Sequence, residues 1–397
     1  MFKKLTSVFL VLLLIFSFAG CGKENPDDNT TAAPVTSEEI PVSEKKIALL
    51  VPAGTQFNEL KLASQEIASA YADKIVVKEY DNYSNLADNK KDLVTLTKEI
   101  AADKTIGAII FTKAARLTNE AILMSQQINP QLVFGCIEPE ASTGNLAGIA
   151  NFVFCTDWSK AAADIVANAK AKGAEYFLMT SFNRHISGSS STDRDSLLAA
   201  TLKSAVSSEC TKQGIKFVFH NAPDPISAGG TKNVIKNIRE SIARYKSDGK
   251  IAGSNVALFT TDYHITKELI GIAKENNFIY AGPAFPTAFN GIGEAVADVT
   301  LPANVADYDS YNENLRNAAG TLPRAIVYNF ALESVFVEAA VHLAFDILAG
   351  KVNDDNLTHK AEMRLTDSAT NEAFTVKKFG GYNNVFAAYL PAYEAVN

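Results

Sequence analysis

The residues able to hold a small molecule recur at one kind of position, directly after short runs of Ile, Val, Leu and Phe. Gly54, Thr55, Gln56, Phe57 and Asn58 follow Ile47 to Val51, Asp81, Asn82 and Tyr83 follow Ile75 to Tyr80, Thr112 and Lys113 follow Ile106 to Phe111, and Glu138 follows Leu132 to Ile137. Asp157 and Trp158 come after Ile149 to Phe154. Ser181, Phe182, Asn183 and Arg184 come after Tyr176 to Thr180, Asn221 after Ile215 to His220, and Thr261, Asp262 and Tyr263 after Val256 to Thr260. Aromatic faces beside amides, hydroxyls and carboxylates suit a neutral polar ligand with a flat or apolar side, such as a sugar or nucleobase. The acids argue against a phosphate. The candidate ligand-binding residues are Gln56, Phe57, Asn58, Tyr83, Thr112, Asp157, Trp158, Phe182, Asn183, Asn221, Asp262 and Tyr263. Turn formation or helix capping is the competing role, well suited to Asn58, Asp157 and Thr192. Trp158, the only tryptophan, either stacks in a cleft or packs in a core.

Motifs for covalent chemistry are missing. No GxSxG, HExxH or GxxxxGK[ST] occurs, and Ala228-Gly229-Gly230 and Asn290-Gly291-Ile292-Gly293 lack the third glycine of a dinucleotide fingerprint, so they read as helix starts. His185, His220 and His264 all fall near the ends of apolar runs, but their spacing matches no local metal-ligand motif. Past Cys21, the cysteines are Cys136, Cys155 and Cys210, an odd number without CxxC spacing. Cys136 and Cys155 close apolar runs and read as small buried hydrophobes. The expectation is a binding protein with no catalytic residue, cofactor or metal.

Positioning these residues requires a scaffold, and the pattern supplies it. Short β-rich runs alternate with longer stretches of helical period, which predicts βαβ units, right-handed crossovers and parallel sheets with helices on both faces. The fold class is α/β, with two tandem doubly wound Rossmann-like lobes and a ligand cleft between them. The expected lobes are 44–156 and 157–288, with 289–397 as a return segment completing them. In open sheets of this kind, ligands bind beyond the carboxyl ends of the strands, where the candidates lie. Within the return segment, Ile326 to Leu348 predicts one surface helix whose Glu338, His342 and Asp346 form a solvated stripe. Phe374 to Phe379 and Val385 to Leu390 predict late strands.

Composition agrees with a folded, exported body. The chain has 397 residues, 47% hydrophobic and 20% charged, enough for two domains. Lys plus Arg number 37 against 44 Asp plus Glu, and the net charge of -7 leaves no basic footprint for nucleic acid. Met1 to Gly20 carries Lys3 and Lys4 before an apolar stretch from Val8 to Phe18, the pattern of a signal peptide. Phe18-Ala19-Gly20-Cys21 resembles the lipobox of bacterial lipoproteins, which implies lipidation of Cys21 and attachment to the cell membrane from the extracytoplasmic side. Gly22 to Ser43, rich in Pro, Thr, Ser and acids, reads as a disordered tether.

An export signal followed by two tandem Rossmann-like lobes and a return helix resembles the type I periplasmic binding proteins, over about Lys45 to Leu348. Ala48-Leu49-Leu50-Val51 leading to Gln56-Phe57-Asn58 is similar to the first strand and Ser-Phe-Asn turn of the basic membrane protein family of nucleoside-binding lipoproteins, without that family's acid in the turn. That resemblance implies that Phe57 stacks on a ring and Asp262 holds ribose hydroxyls. The chain also looks like an uncharacterised family of Firmicute lipoproteins. The function implied is a lipid-anchored solute-binding protein delivering a small molecule to an ABC permease. The alternatives are a sensor lipoprotein serving a membrane receptor or kinase, and an exported hydrolase using His185 or Asp157.

Overall fold

The structure, a computed structural model, describes residues 39–54, 57–81, 86–139, 143–186, 194–225, 229–281, 310, 313–314, 317, 322, 324–328, 332–369, 375–389 and 393–395. The signal peptide, Cys21, most of the tether, Gln56, Tyr83, Thr192 and Asn290 to Gly293 lie outside them.

Two parallel sheets carry the architecture. The first contains β1 (Lys46–Pro52), β2 (Ile75–Tyr80), β3 (Ile106–Phe111), β4 (Val133–Ile137) and β5 (Phe152–Thr156). Its helices are α1 (Asn58–Ala70), α2 (Leu86–Ala102), α3 (Thr118–Ile128) and α4 (Thr143–Ala147). The second contains β6 (Tyr176–Phe182), β7 (Lys216–Ala222), β8 (Val256–Thr260) and β9 (Ile279–Tyr280). It is built with α5 (Trp158–Ala171), α6 (Asn183–Ile186), α7 (Arg194–Lys212), α8 (Gly230–Ser247) and α9 (Thr266–Asn276). After β10 (Ile326–Tyr328) come α10 (Leu332–Leu348), α11 (Leu357–Ser368), β11 (Thr375–Lys378), β12 (Val385–Tyr389) and β13 (Tyr393–Ala395).

The second sheet runs β7-β6-β8-β9 and the first β2-β1-β3-β4-β5, extended by β12 and then by β11, which alone in these two sheets runs antiparallel. Both halves therefore repeat one order, second strand outside the first and the third on the first strand's other side. All residues of β3 and β4 are buried, the continuous apolar reading of strands covered on both faces. Alternation along β1 shows how. Ile47, Leu49 and Val51 join a cluster with Phe336, Ala340 and Phe345 of α10. Ala48 and Leu50 face the opposite cluster, with Leu93 of α2 and Ile122 of α3. In β6, Leu178 packs with Ile238 and Leu269, whereas Phe177 and Met179 pack with Ile165 and Val206. Gly135 of β4 is required by packing, because a Cβ there would run into the Phe152 ring on β5.

The returning chain ties both sheets together. Ala325 bridges Tyr280 of β9, and β10 then pairs antiparallel with β13. The Arg324 guanidinium donates to the carbonyls of Asn277 at 2.7 Å, Ser254 at 3.1 Å and Lys172 at 3.3 Å, and to Asn255 Oδ1 at 3.1 Å. These acceptors lie at the amino edge of the second sheet. Cys136, Cys155 and Cys210 are buried thiols, and burial pushes the Cys210 thiol up to about 12, so it stays protonated and unreactive at neutral pH. Among the described residues, no helix is long and apolar enough to cross a membrane.

The segment Ile326 to Leu348 departs from the single surface helix expected. Ile326–Tyr328 form β10, and the helix begins at Leu332. Its polar stripe is not solvated, since His342 is 5% and Asp346 0% exposed. The cause is α11, in a stretch without a clear sequence pattern, which lies against α10. Arg364 of α11 meets Asp346 through Nε to Oδ2 at 2.7 Å and Nη2 to Oδ1 at 3.1 Å. Tyr71 Oη sits 2.9 Å from His342 Nε2.

This burial makes acid sensitivity predictable. Burial first, and the Arg364 charge second, hold the His342 pKa down to about 4. The unfolded chain takes up this proton near pH 6.5, where the folded one refuses it. Stability is therefore lost as pH falls from about 6.5 to about 4, by about 3 kcal/mol for this group. Glu338 works in the opposite direction, because burial and then the charges of Glu66 and Asp367 raise its pKa, so the folded state gains as that carboxyl protonates. Urea titrations at pH 7 and pH 4.5 should show a loss in the wild type that is much smaller in His342→Gln. Equal losses would refute the assignment.

Candidate functional site

In sheets of this order the crevice opens where neighbouring strands send their loops to opposite faces. Here that point lies between β1 and β3 in the first half and between β6 and β8 in the second.

The second of these points holds a buried polar cluster. Ser181 is the last residue but one of β6, Thr261 and Asp262 follow β8, His185 projects from α6, and His264 lies in the 3-10 turn Tyr263–Ile265. Ser181 Oγ is 2.7 Å from Thr261 Oγ1, which is 2.9 Å from His185 Nδ1. His185 Nε2 lies 3.8 Å from Asp262 Oδ2. Asp262 Oδ1 accepts the His264 backbone N–H at 2.8 Å and faces its ring Nδ1 at 2.7 Å. The Phe182 ring meets His185 edge to face, with centroids 5.8 Å apart. Ser181, Thr261, His185 and Asp262 are at most 2% exposed.

The direction of this relay depends on charge. A neutral His185 protonated at Nε2 accepts at Nδ1 from the Thr261 hydroxyl, which in turn accepts from Ser181. A protonated His185 donates at Nδ1 and reverses the chain. At the rim, Asn221 Nδ2 donates to Asn183 Oδ1 at 2.7 Å, and both residues are exposed. Among the described residues, no group of three or more His, Cys, Asp or Glu could hold a metal ion.

The first half contributes differently. Phe57 is the N-cap of α1 and packs in the core beneath it with Leu60 and Val51. Thr112 is buried and its hydroxyl donates to Leu50 O at 3.0 Å. Lys113, just after β3, and Glu59, in the first turn of α1, are each 6% exposed. Glu138 has φ 43, a left-handed conformation costly for a residue with a Cβ. Its Oε1 accepts from Thr156 N at 2.6 Å and Thr156 Oγ1 at 2.5 Å.

Of the candidates read from sequence, Phe182, Asn183 and Asp262 lie at the β6/β8 point, Asn221 lies at the end of β7 on the other side of β6 and reaches Asn183, and Phe57 and Thr112 lie at the β1/β3 point. Asp157 and Trp158 are placed elsewhere. Asp157 caps α5, accepting from Ser159 N and Lys160 N, and pairs with Lys377 Nζ at 2.5 Å. Trp158 packs against the apolar cluster of the second sheet. For Asn58 and Tyr263 only the backbone is described. His185, His264, Ser181 and Thr261 were visible as strand-following residues, but nothing in their spacing announced that they meet. His220 goes elsewhere, with Nε2 3.0 Å from Asn237 Oδ1 and Nδ1 3.2 Å from Tyr245 Oη.

The two switch points are joined by α1, whose Leu62 and Ala63 share one buried cluster with Phe182, Ile265 and Leu269.

A family model described as "Protein of unknown function (DUF3798)" matches residues 46–322. The chain belongs to this family. The match begins with β1 and ends before β10, so α10 and α11 lie outside it. No curated protein matches. Among solved structures, the chain is similar to a proposed transcriptional regulator from Clostridium difficile 630, at 14% identity and TM-score 0.69, covering 88% of this chain and 98% of that one. A substrate-binding protein of an ABC transporter from Desulfitobacterium hafniense in complex with Leu matches at 16% identity and TM-score 0.45, covering 88% and 99%. A carbohydrate transporter from Acidothermus cellulolyticus 11B in complex with myo-inositol matches at 13% and TM-score 0.45, covering 82% and 99%. The last two are too distant to bear on ligand. Together with the repeated strand order, the likeness at 0.69 shows that this DUF3798 chain shares the α/β fold of that structure, built here on two parallel sheets.

Proposed function

We propose that this DUF3798 chain is a solute-binding lipoprotein. It is held outside the cell membrane by lipid on Cys21, captures a small polar or aromatic molecule between its lobes, and presents it to an ABC permease. The observation that carries this reading is the polar cluster at the β6/β8 switch point, adjoining the contact that α1 makes from the β1/β3 side. Binding rather than catalysis fits its chemistry. The hydroxyls of Ser181 and Thr261 bond to each other, and both residues are nearly inaccessible, so neither is presented as a nucleophile.

Burial of the cluster implies motion. A ligand reaches Asp262 only when the lobes part around the α1 contact, and it drives closure only through contacts made better in the closed form. Isothermal titration of the mature chain against nucleosides, flavins and sugars tests this. Heat and a raised melting temperature with at least one member are expected. No response to any of them would remove the basis for a transport role.

A further inference from the structure

The end of the first lobe opposite the switch point carries an exposed aromatic finger. β12 runs parallel to β5 and, through β4 and β3, to β1. The β11–β12 turn therefore lies on the same edge of the sheet as the start of β1. At that turn Phe379 and Tyr382 flank Gly380 and Gly381 and are 44% and 39% exposed. The turn is closed by Phe379 N to Val385 O at 3.0 Å and Tyr382 N to Phe379 O at 3.2 Å, and is anchored by Asn384 Nδ2 to the carbonyls of Ala147 and Ala150. No acid occurs from Thr375 to Tyr389, and Lys378 stands at the tip. Two exposed aromatics on a braced hairpin have no evident role in the fold.

The chain enters the body on this same edge. Ile40 packs against the first-lobe core, and Val42 is 53% exposed. Four strand spacings, roughly 20 Å, separate β1 from β12. From Cys21 to Glu39 the chain spans at most about 65 Å when fully extended, so a lipid on Cys21 would leave this edge within reach of the bilayer.

We propose that the Phe379–Tyr382 finger inserts its two rings into the headgroup region of that bilayer, directing the carboxyl-end site away from the lipid. Tyr and Phe suit this layer, with an apolar ring for the acyl boundary and, on Tyr, a hydroxyl for water. Two rings bind a membrane weakly by themselves. The lipid raises their local concentration, so the finger sets orientation rather than attachment. This rests on the lipid-anchor reading above.

The experiment uses the full-length lipidated chain in phosphatidylcholine vesicles with and without brominated acyl chains. Trp158→Phe combined with Phe379→Trp, and separately with Tyr382→Trp, places one indole at the tip. Blue-shifted emission that is lost in brominated vesicles is expected for both. Flotation of the wild type against Cys21→Ser reads the anchor independently. If the wild type does not float, the anchor reading falls and the inference falls with it. If it floats while both indoles are indifferent to bromine, the inference alone is overturned. It is overturned equally if emission changes only with protein density, as for contact with a second copy, or only when permease is added.

Discussion

Asp346→Ala should be among the most damaging single substitutions in the first lobe, costing about 3–5 kcal/mol, the range for breaking a buried ion pair by removing one partner. Asp346 and Arg364 are both 0% exposed, and the guanidinium makes two hydrogen bonds to the carboxylate. Asp367 Oδ2, at 3.5 Å from Nη1, is too far to replace them. The variant thus leaves a buried cation without its bidentate partner. Replacing both residues by apolar ones of similar volume, Asp346→Leu with Arg364→Met, should recover much of the loss, because no charge is then stranded. Urea midpoints of the wild type, single and double variants measure this. A single variant within about 1 kcal/mol of the wild type, as is typical of an exposed pair, would show that the contact contributes little.

The second large effect is on binding. Asp262→Asn should weaken binding of any panel member held by the wild type at least about 30-fold, with little change in melting temperature. Asp262 accepts from the His264 backbone, faces its ring and lies beside His185. On the proposed solute-binding role, it is also the acceptor that ligand hydroxyls or ring nitrogens would meet. Hydrogen bonds to an ionised acceptor contribute about 1.5–3 kcal/mol each, and an amide of the same shape loses the charge and one acceptor. Because Asn can still accept from the His264 backbone, the turn should hold. Affinity equal to the wild type would place the ligand elsewhere. Loss of folding would give Asp262 a structural role instead.

The two outcomes differ in how they could be anticipated. Asp262 was legible as a candidate because it directly follows the apolar run Val256 to Thr260, and a strand's end is marked by its own residues. Two of its neighbours in the cluster were not, because Ser181 and His185 come from β6 and the helix after it and meet the β8 loop only through the strand order. Asp346 was misread altogether. A helix with Glu338, His342 and Asp346 on one stripe reads as having a wet face. Only the packing of α11, whose sequence carries no strong period, shows that this face is buried and neutralised by Arg364.

Local pattern alone determined the alternation of strands and helices, the two parallel halves and the loop positions that can carry a ligand. These follow from side-chain periodicity and from which residues close a strand, properties of neighbours in the chain. Tertiary structure decided which polar residues are in the site, which serve as caps and which are buried charges. Asp157 caps α5 and pairs with Lys377 of β11. Trp158 packs, partly buried, against the second lobe's core. His220 points to α8 while His185 points to Thr261. Apart from the local α5 cap, each of these is a contact between residues distant in sequence, and burial, which sets both the cost of a charge and the value of a hydrogen bond, exists only once those residues have met.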